Sequence, residues 1–363
     1  YSYVQTANIT LTTDFKSYII GDSTTKFTGT YDGGGYTIAN LTINTTTSQD
    51  KQYVGLFGYI SAATLENIGL TGATINTTYT AGSHTVGILV GYDLISTVTN
   101  CYSTGSVSAT ATTNNLYAGG LIGLNYASGG NAAVSSCYST ASVTASSAGA
   151  TFLITGGLTG FNYASGGNAT ITSSYATGNI TATGNNDAYL INGGLVGYNT
   201  CYSASNSASI SNSYATGYVL SNFSNGIASA AGYTGGLIGN SYAAVAGSSV
   251  SVTNSYATGS ATITSTGTTT NPHHYTAGLI GQNVAYYTGS TANVSGCYAT
   301  GNVSATQTGT AYPRLRSGGL IGTNFVVYNN ASITITNSYA TGTVTSSTIT
   351  STSYAGGLIG ENR

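Results

Sequence analysis

GGLIG at residues 119–123 returns unchanged at 235–239, 318–322 and 356–360. Close variants stand at 55–58 (GLFG), 87–91 (GILVG), 156–160 (GGLTG), 193–197 (GGLVG) and 277–281 (AGLIG). The last glycines of the nine copies are Gly58, Gly91, Gly123, Gly160, Gly197, Gly239, Gly281, Gly322 and Gly360, at steps of 32 to 42 residues. A sustained period in that range marks one supersecondary unit stacked on itself. A second phrase, Cys/Ser-Tyr-Ala/Ser-Thr-Gly, keeps step with the first. Its tyrosines are Tyr102, Tyr138, Tyr175, Tyr214, Tyr256, Tyr298 and Tyr339, and only at Tyr138 is the glycine replaced, by Ala141.

The unit is not helical, because no 3.6-residue period is sustained and glycine is too frequent. Segments such as Ser332-Ile333-Thr334-Ile335-Thr336 alternate with period two, which places Ile333 and Ile335 on one face. The expected fold is all-β: a single-stranded, right-handed parallel β-helix (β-solenoid) of about nine repeats. Equivalent residues of successive coils then lie about 4.8 Å apart. Leu56, Leu121, Leu158, Leu195, Leu237, Leu279, Leu320 and Leu358 form an interior ladder, each contributing about 1.5–3 kcal/mol by burial. Asn125, Asn162, Asn199, Asn283, Asn324 and Asn362 lie two residues after the phrase, with Ser241 in their place once. Stacked amides there can bond coil to coil. The tyrosine column can stack its rings in the same direction.

Composition narrows the class. Charged residues make up 4% of the 363, against about 25% in ordinary domains. The chain is nevertheless rich in Val, Ile, Thr and Tyr, the opposite of a disordered composition. A net charge of −2, with six scattered or terminal basic residues, gives no electrostatic footing for nucleic acid. No apolar run reaches membrane-spanning length. The start at Tyr1 reads as a mature product without its signal segment. Near-zero net charge favours association.

Residues 1–50 hold Asp14, Lys16, Asp22, Lys26, Asp32 and Asp50 and read as an N-terminal capping segment; residues 51–363 read as one continuous repeat domain. The loops vary. NYASGGNA occurs at both 125–132 and 162–169, whereas later loops differ, including TNPHHY (270–275) and YPRLRS (312–317). Variable loops on a constant scaffold are where partner contacts usually sit.

The phrase G-[GA]-L-[IVT]-G resembles the GLUG motif of bacterial and archaeal surface proteins. These include filamentous-haemagglutinin-like adhesins and non-catalytic regions of some immunoglobulin-cleaving peptidases. FTGTYDGGGYTIANLTI (27–43), GLFGYI (55–60) and ATLENIGL (63–70) resemble the usual beginning of such arrays. The resemblance implies a right-handed β-helix outside the cell and carries over no catalytic residue.

No catalytic, cofactor-binding or metal-binding residue is expected. Between Asp93 and Asp187 there is no Asp, Glu, Lys, Arg or His, and Asp187 is isolated in sequence, whereas glycoside hydrolysis uses two carboxylates. His273 and His274 follow Pro272 in what reads as a solvated loop; a metal would need more ligands. Arg314 and Arg316 read as two exposed arginines, alternatively a spot for a neighbouring subunit's carboxylate. Cys101 and Cys137, one coil apart, form the candidate intrachain disulfide. Cys201 and Cys297 are candidate free or intermolecular thiols. Candidate N-glycosylation sites are Asn8, Asn40, Asn44, Asn76, Asn168, Asn179, Asn222, Asn293, Asn302 and Asn330.

The expected function is that of a structural extracellular or cell-surface protein. It self-assembles into a filament, sheath or surface layer, with copies of itself as the main partner. The unfinished unit at 361–363 is the expected joining edge. The alternative is an adhesin stalk binding glycans or host proteins through its loops. Ice binding would need a regular Thr-x-Thr column, and Thr334/Thr336 and Thr343/Thr345 do not share a register.

Overall fold

The structure is a computed structural model that describes residues 1–45, 52–185, 189–225, 231–266, 273–309, 314–349 and 352–363. Asp50, Asp187 and the loop residues 270–272 and 312–313 lie outside these. One coil shows the plan. Leu116–Gly119 belongs to sheet I, Ile122–Ser128 to sheet II, Ala132–Ser135 to sheet III, and Tyr138–Ser139 with Ser142–Ser147 to sheet IV. The next coil repeats the order, so each strand pairs in parallel with its equivalents above and below. Among the described residues, sheets I and II each have nine strands and sheet III has ten. The result is an all-β parallel solenoid of about eight turns. Residues 1–45 wind in the same sheets: Ser2 pairs with Thr30, and Thr30 with Thr64.

Period-two alternation fills the interior. The phrase leucines from Leu121 to Leu320 are fully buried, and only Leu358, in the last coil, is exposed. Inside the bend between sheets II and III, the amides bond along the axis. Asn125 Nδ2 donates to Asn162 Oδ1 at 2.7 Å, and Asn162 Nδ2 to Asn199 Oδ1 at 2.8 Å. Burial of these amides is tolerable because each makes at least one such bond, Asn125 through its Nδ2 alone.

The corner from sheet III to sheet IV is made by one left-handed residue per coil: Asn67, Asn100, Ser136, Ser173, Asn212, Asn254, Gly296 and Asn337, at φ between 48° and 65°. Asparagine and glycine enter that region at least cost. The next residue points inward and bonds across coils. Cys101 N–H donates to Cys137 Sγ at 3.4 Å, Cys137 N–H to Ser174 Oγ at 3.1 Å, and Ser174 N–H to Ser213 Oγ at 3.1 Å. Cysteine here does the work of serine. The tyrosine that follows faces outward, and its seven rings stack at centroid distances of 4.6–5.3 Å and within 7° of parallel.

Strand pairing bears out the lack of a regular Thr-x-Thr column. Hydroxyl pairs do recur at one register: Thr97/Thr99, Thr170/Thr172, Ser209/Ser211, Ser251/Thr253 and Thr334/Thr336 on sheet III. Thr345 belongs to sheet IV, in line with Thr262 and Thr181. The two pairs compared in sequence stand on different sheets. The sheet III columns still mix Thr with Ser, Ala133 and Asn293, so no pure threonine face results.

Candidate functional site

The functional geometry begins at the last glycine of each phrase. Pairing between sheet II strands skips that residue in every coil: Ile122 pairs with Thr159 and Leu124 with Phe161, while Gly123 and Gly160 are left out. The register is the same on both sides of the skip, so it marks a bend shared by every coil: Ile122 faces the core, whereas Leu124 lies in the outer cluster. The residue after the glycine therefore turns outward, and the Asn beyond it turns inward. A Cβ on Gly160 would come within 2.9 Å of Ala118 N and O, and one on Gly197 within 2.6 Å of Thr155 O. Sheets I and II thus meet backbone against backbone, which only glycine permits. Their outer faces enclose a trough running along the solenoid.

Two columns line it. From sheet II come Tyr59, Tyr92, Leu124, Phe161, Tyr198, Asn240, Gln282, Thr323 and Glu361. From sheet I come Tyr53, Thr85, Tyr117, Ile154, Ile191, Tyr233, Tyr275, Arg316 and Tyr354. The columns touch: Tyr53 meets Tyr59 at 5.1 Å, and Tyr117 meets Phe161 at 5.3 Å, both edge to face. The trough thus grades from aromatic, through amide, to charged. Burial raises the phenol pKa of Tyr198 and Tyr233, so both stay neutral.

Two hollows open in the aromatic part. One, of about 300 Å³, lies among Tyr198, Tyr202, Tyr233, Asn240, Tyr242 and Gln282. The other, of about 170 Å³, lies among Tyr117, Ile154, Phe161 and Tyr163. Phe152, Tyr198 and Tyr202 border both. A third hollow at the charged end is lined by Arg314, Arg316, Thr352, Tyr354, Glu361 and Arg363.

The charged end departs from the sequence expectation. Arg316 is buried rather than exposed and forms an ion pair with Glu361 of its own chain. Its guanidinium lies 5.1 Å from the Tyr275 ring centroid. Partner and ring together make the buried charge tolerable. Arg314 is exposed. The histidines are not a solvated loop, for His273–Ala277 is a strand. His274 points into the core against Phe223, in the column of Leu190 and Leu315. Gly232, between Leu190 and His274, leaves the room: a Cβ there would meet the Phe223 and His274 rings. Burial lowers the His274 pKa to about 3. His273 is half-buried, with Nδ1 3.3 Å from Arg316 Nη1; burial and that guanidinium lower its pKa.

His84 occupies the same inward column further toward the N-terminus. Its Nδ1–H donates to the Gln52 carbonyl at 3.1 Å, and its Nε2 accepts from the Thr77 hydroxyl at 2.8 Å. Burial lowers its pKa to about 4. Asp93 lies fully buried at the head of the asparagine ladder, and burial raises its carboxyl to about 7. Among the described residues, no group of three or more His, Cys, Asp or Glu is placed to hold a metal.

All four cysteines are free and buried. Cys101 and Cys137 are stacked neighbours. Cys201 lies among small alanines between sheets II and III, its Sγ donating to Ser203 and Asn206 carbonyls. Cys297 lies in the Cys/Ser column, its N–H bonded to Ser338 Oγ. A bond from Cys201 or Cys297 to a second chain would require the wall to open. The ten sequon asparagines stand at exposed or half-buried positions, and none is in the inner ladder. Those on the outer corners include Asn179 and Asn302, whose Oδ1 atoms accept N–H groups of Tyr218 and Thr343.

The trough escaped sequence reading, although its signal is there. It is the residue immediately after each final glycine, together with the residue two before each phrase.

Fold and site define a parallel β-solenoid repeat protein whose outer surface carries one axial trough. No family model matches the chain. A 103-residue stretch is 38% identical to Halomucin of Haloquadratum walsbyi, covering 28% of this chain and 1% of that protein. The chain is also similar to a solved structure from Bacteroides ovatus, provisionally named an immunoglobulin A1 protease. That likeness has 16% identity and a TM-score of 0.40 over 98% of this chain and 77% of the other. A likeness of that degree carries no argument about activity. Among the described residues, no helix is long and apolar enough to cross a membrane.

Proposed function

We propose that the protein is a structural component of the cell exterior that associates with copies of itself through its hydroxyl-lined walls. The observation that carries this reading is sheet IV. Its outer face presents the stacked tyrosines beside the columns Ser108, Thr144, Thr181, Leu220, Thr262, Ser304, Thr345 and Thr110, Ser146, Thr183, Asn222, Thr264, Thr306, Ser347. No charge interrupts either column. Like-charge repulsion, the usual guard against wall-to-wall contact, is missing. The GLUG-like phrase and the partial match to a protein named as a mucin support an extracellular setting. In that setting the outward sequons would carry glycan and Cys101–Cys137 could close. We assign the walls no catalytic role and no cofactor.

Light scattering over a concentration series, with electron microscopy of native material, tests this. Expected is concentration-dependent association into an ordered filament, sheath or layer, weakened by Thr181→Lys with Thr262→Lys. A monomer at every concentration, with no ordered array in native material, refutes it.

A second reading, a binding stalk, is favoured by the trough. It places the contact surface in the side of the solenoid rather than in the variable loops.

A further inference from the structure

We infer that the hollow around Tyr198, Tyr233 and Asn240 is a carbohydrate site, built for neutral pyranose units of an oligosaccharide lying along the solenoid axis. This rests on the binding-stalk reading and is independent of self-association.

The first argument is an unmet hydrogen bond. Asn240 is 6% exposed, and its Oδ1 has no donor in the protein. A buried amide oxygen left so costs about 1–3 kcal/mol. It calls for an external donor. In the same column, other coils place Leu124 and Phe161, which need none. The amide is therefore not required by the packing.

The second argument is the shape and chemistry around that oxygen. Tyr198 and Tyr233 form the floor, each under a tenth exposed. Tyr202, Tyr242 and Tyr286 form a half-open rim, with ring centroids 6.2 and 5.9 Å apart from coil to coil. Gln282, the next residue in the Asn240 column, adds a second amide one coil on. The ligand must therefore bring an apolar face for the rings and hydroxyl groups for the amides. A pyranose has both. Aromatic anchors with a few convergent polar groups are the usual make-up of a small-molecule site.

The third argument concerns charge and length. No carboxylate, ammonium or guanidinium lines this hollow. Of the charges further along, Arg316 is already held by Glu361 and Tyr275, and Arg363 lies over the outer ring of Phe325. A charged ligand would lose its hydration with no counter-ion in return. The smaller hollow continues the first across Phe152, Tyr198 and Tyr202. An extended chain of sugar units fits that continuity better than a single compact ligand.

The columns also supply variants that keep the fold. Asn240→Leu installs the residue that Leu124 already provides, and Tyr242→Val installs that of Val284. The experiment is calorimetric titration of the monomeric fraction with neutral hexasaccharides of glucose, mannose and galactose. An acidic oligosaccharide and a tyrosine-rich peptide serve as competing classes. The expected result is saturable micromolar-to-millimolar binding of at least one neutral sugar. Each variant should weaken it by roughly tenfold or more, and Tyr214→Ala, on the opposite wall, should leave it unchanged. The inference is overturned by no binding of any neutral member at millimolar concentration. It is equally overturned by binding indifferent to both variants, or by preference for the acidic sugar or peptide. Association of the chain into arrays has no bearing on either result.

Discussion

Asp93→Asn should stabilise the protein by an amount that grows from about pH 4 upward and is largest at neutral and alkaline pH. Asp93 pairs in register with Asn125, the first amide of the ladder. Asn125 spends its Nδ2 on Asn162, so its own Oδ1 is left facing the Asp93 coil. Both Asp93 Oδ2 and Asn125 Oδ1 are buried and lack a donor. Asp93 Oδ1 is already served by the Ser96 N–H at 3.1 Å. Two buried acceptors in neighbouring coils are reconciled by one proton on the carboxyl. Burial provides the same push, raising the pKa from 3.8 to about 7. Below about pH 4 the carboxyl is protonated whether folded or unfolded, and contributes no difference. Between about pH 4 and 7 the unfolded chain ionises while the folded one stays neutral. Stability is then lost at about 1.4 kcal/mol per pH unit, reaching about 4 kcal/mol above pH 7. An amide cannot ionise, keeps the Ser96 contact and offers its own N–H to Asn125. Urea unfolding of both proteins from about pH 4 to 8 reads the difference. The titrations of His84 and His274 cancel in the subtraction. Equal stabilities at pH 8, or a gain of the same size at pH 4, would refute the shared-proton argument.

Gly239→Ala should cost about 1–3 kcal/mol, because its Cβ would lie 2.7 Å from Asn192 N and Gly197 O. Gly235→Ala should cost more, since its Cβ would overlap the Ile238 carbonyl oxygen and the backbone would have to move toward the path that accepts Ala277 in the next coil; paired urea midpoints decide. His274, held near pKa 3 against an ordinary 6.5, withdraws stability as pH falls between those values, by about 1.4 kcal/mol per unit. His274→Leu, matching Leu315, should remove that acid limb from circular-dichroism titrations at fixed urea. Cys137→Ser should change stability by less than about 0.5 kcal/mol, while Cys137→Ala strands the Cys101 N–H and costs about 1–3 kcal/mol. On mild oxidation, thiol counting after denaturation should show Cys101 and Cys137 lost together, with Cys201 and Cys297 still titratable.

Much of the scaffold was legible because its signals repeat at one register. The phrase leucines, the stacked tyrosines and the asparagine ladder each depend on a residue meeting its own equivalent one coil away. A column of like residues in sequence is then a column in space. The trough was not legible in the same way. Leu121 and its neighbour Ile122 are both buried in the core, so alternation alone does not say which way Leu124 and Asn125 turn, and the bend sends Leu124 outward and Asn125 inward. Single residues also misled where no repeat vouched for them. His274 beside a proline reads as loop, but Gly232 below it opens room for an imidazole in the leucine column. Arg316 reads as solvated until Glu361 and Tyr275 close on it.

What the sequence by itself determined is the stack: an uncharged, glycine-punctuated β repeat whose like residues must align, because parallel in-register pairing brings each to its own copy. What only the tertiary structure decided is which way the residues beside the glycines face. Alternation is a local rule, and it breaks at the bend where two sheets press backbone to backbone. The sides of the solenoid that meet the outside, and the hollow in them, follow from that close approach.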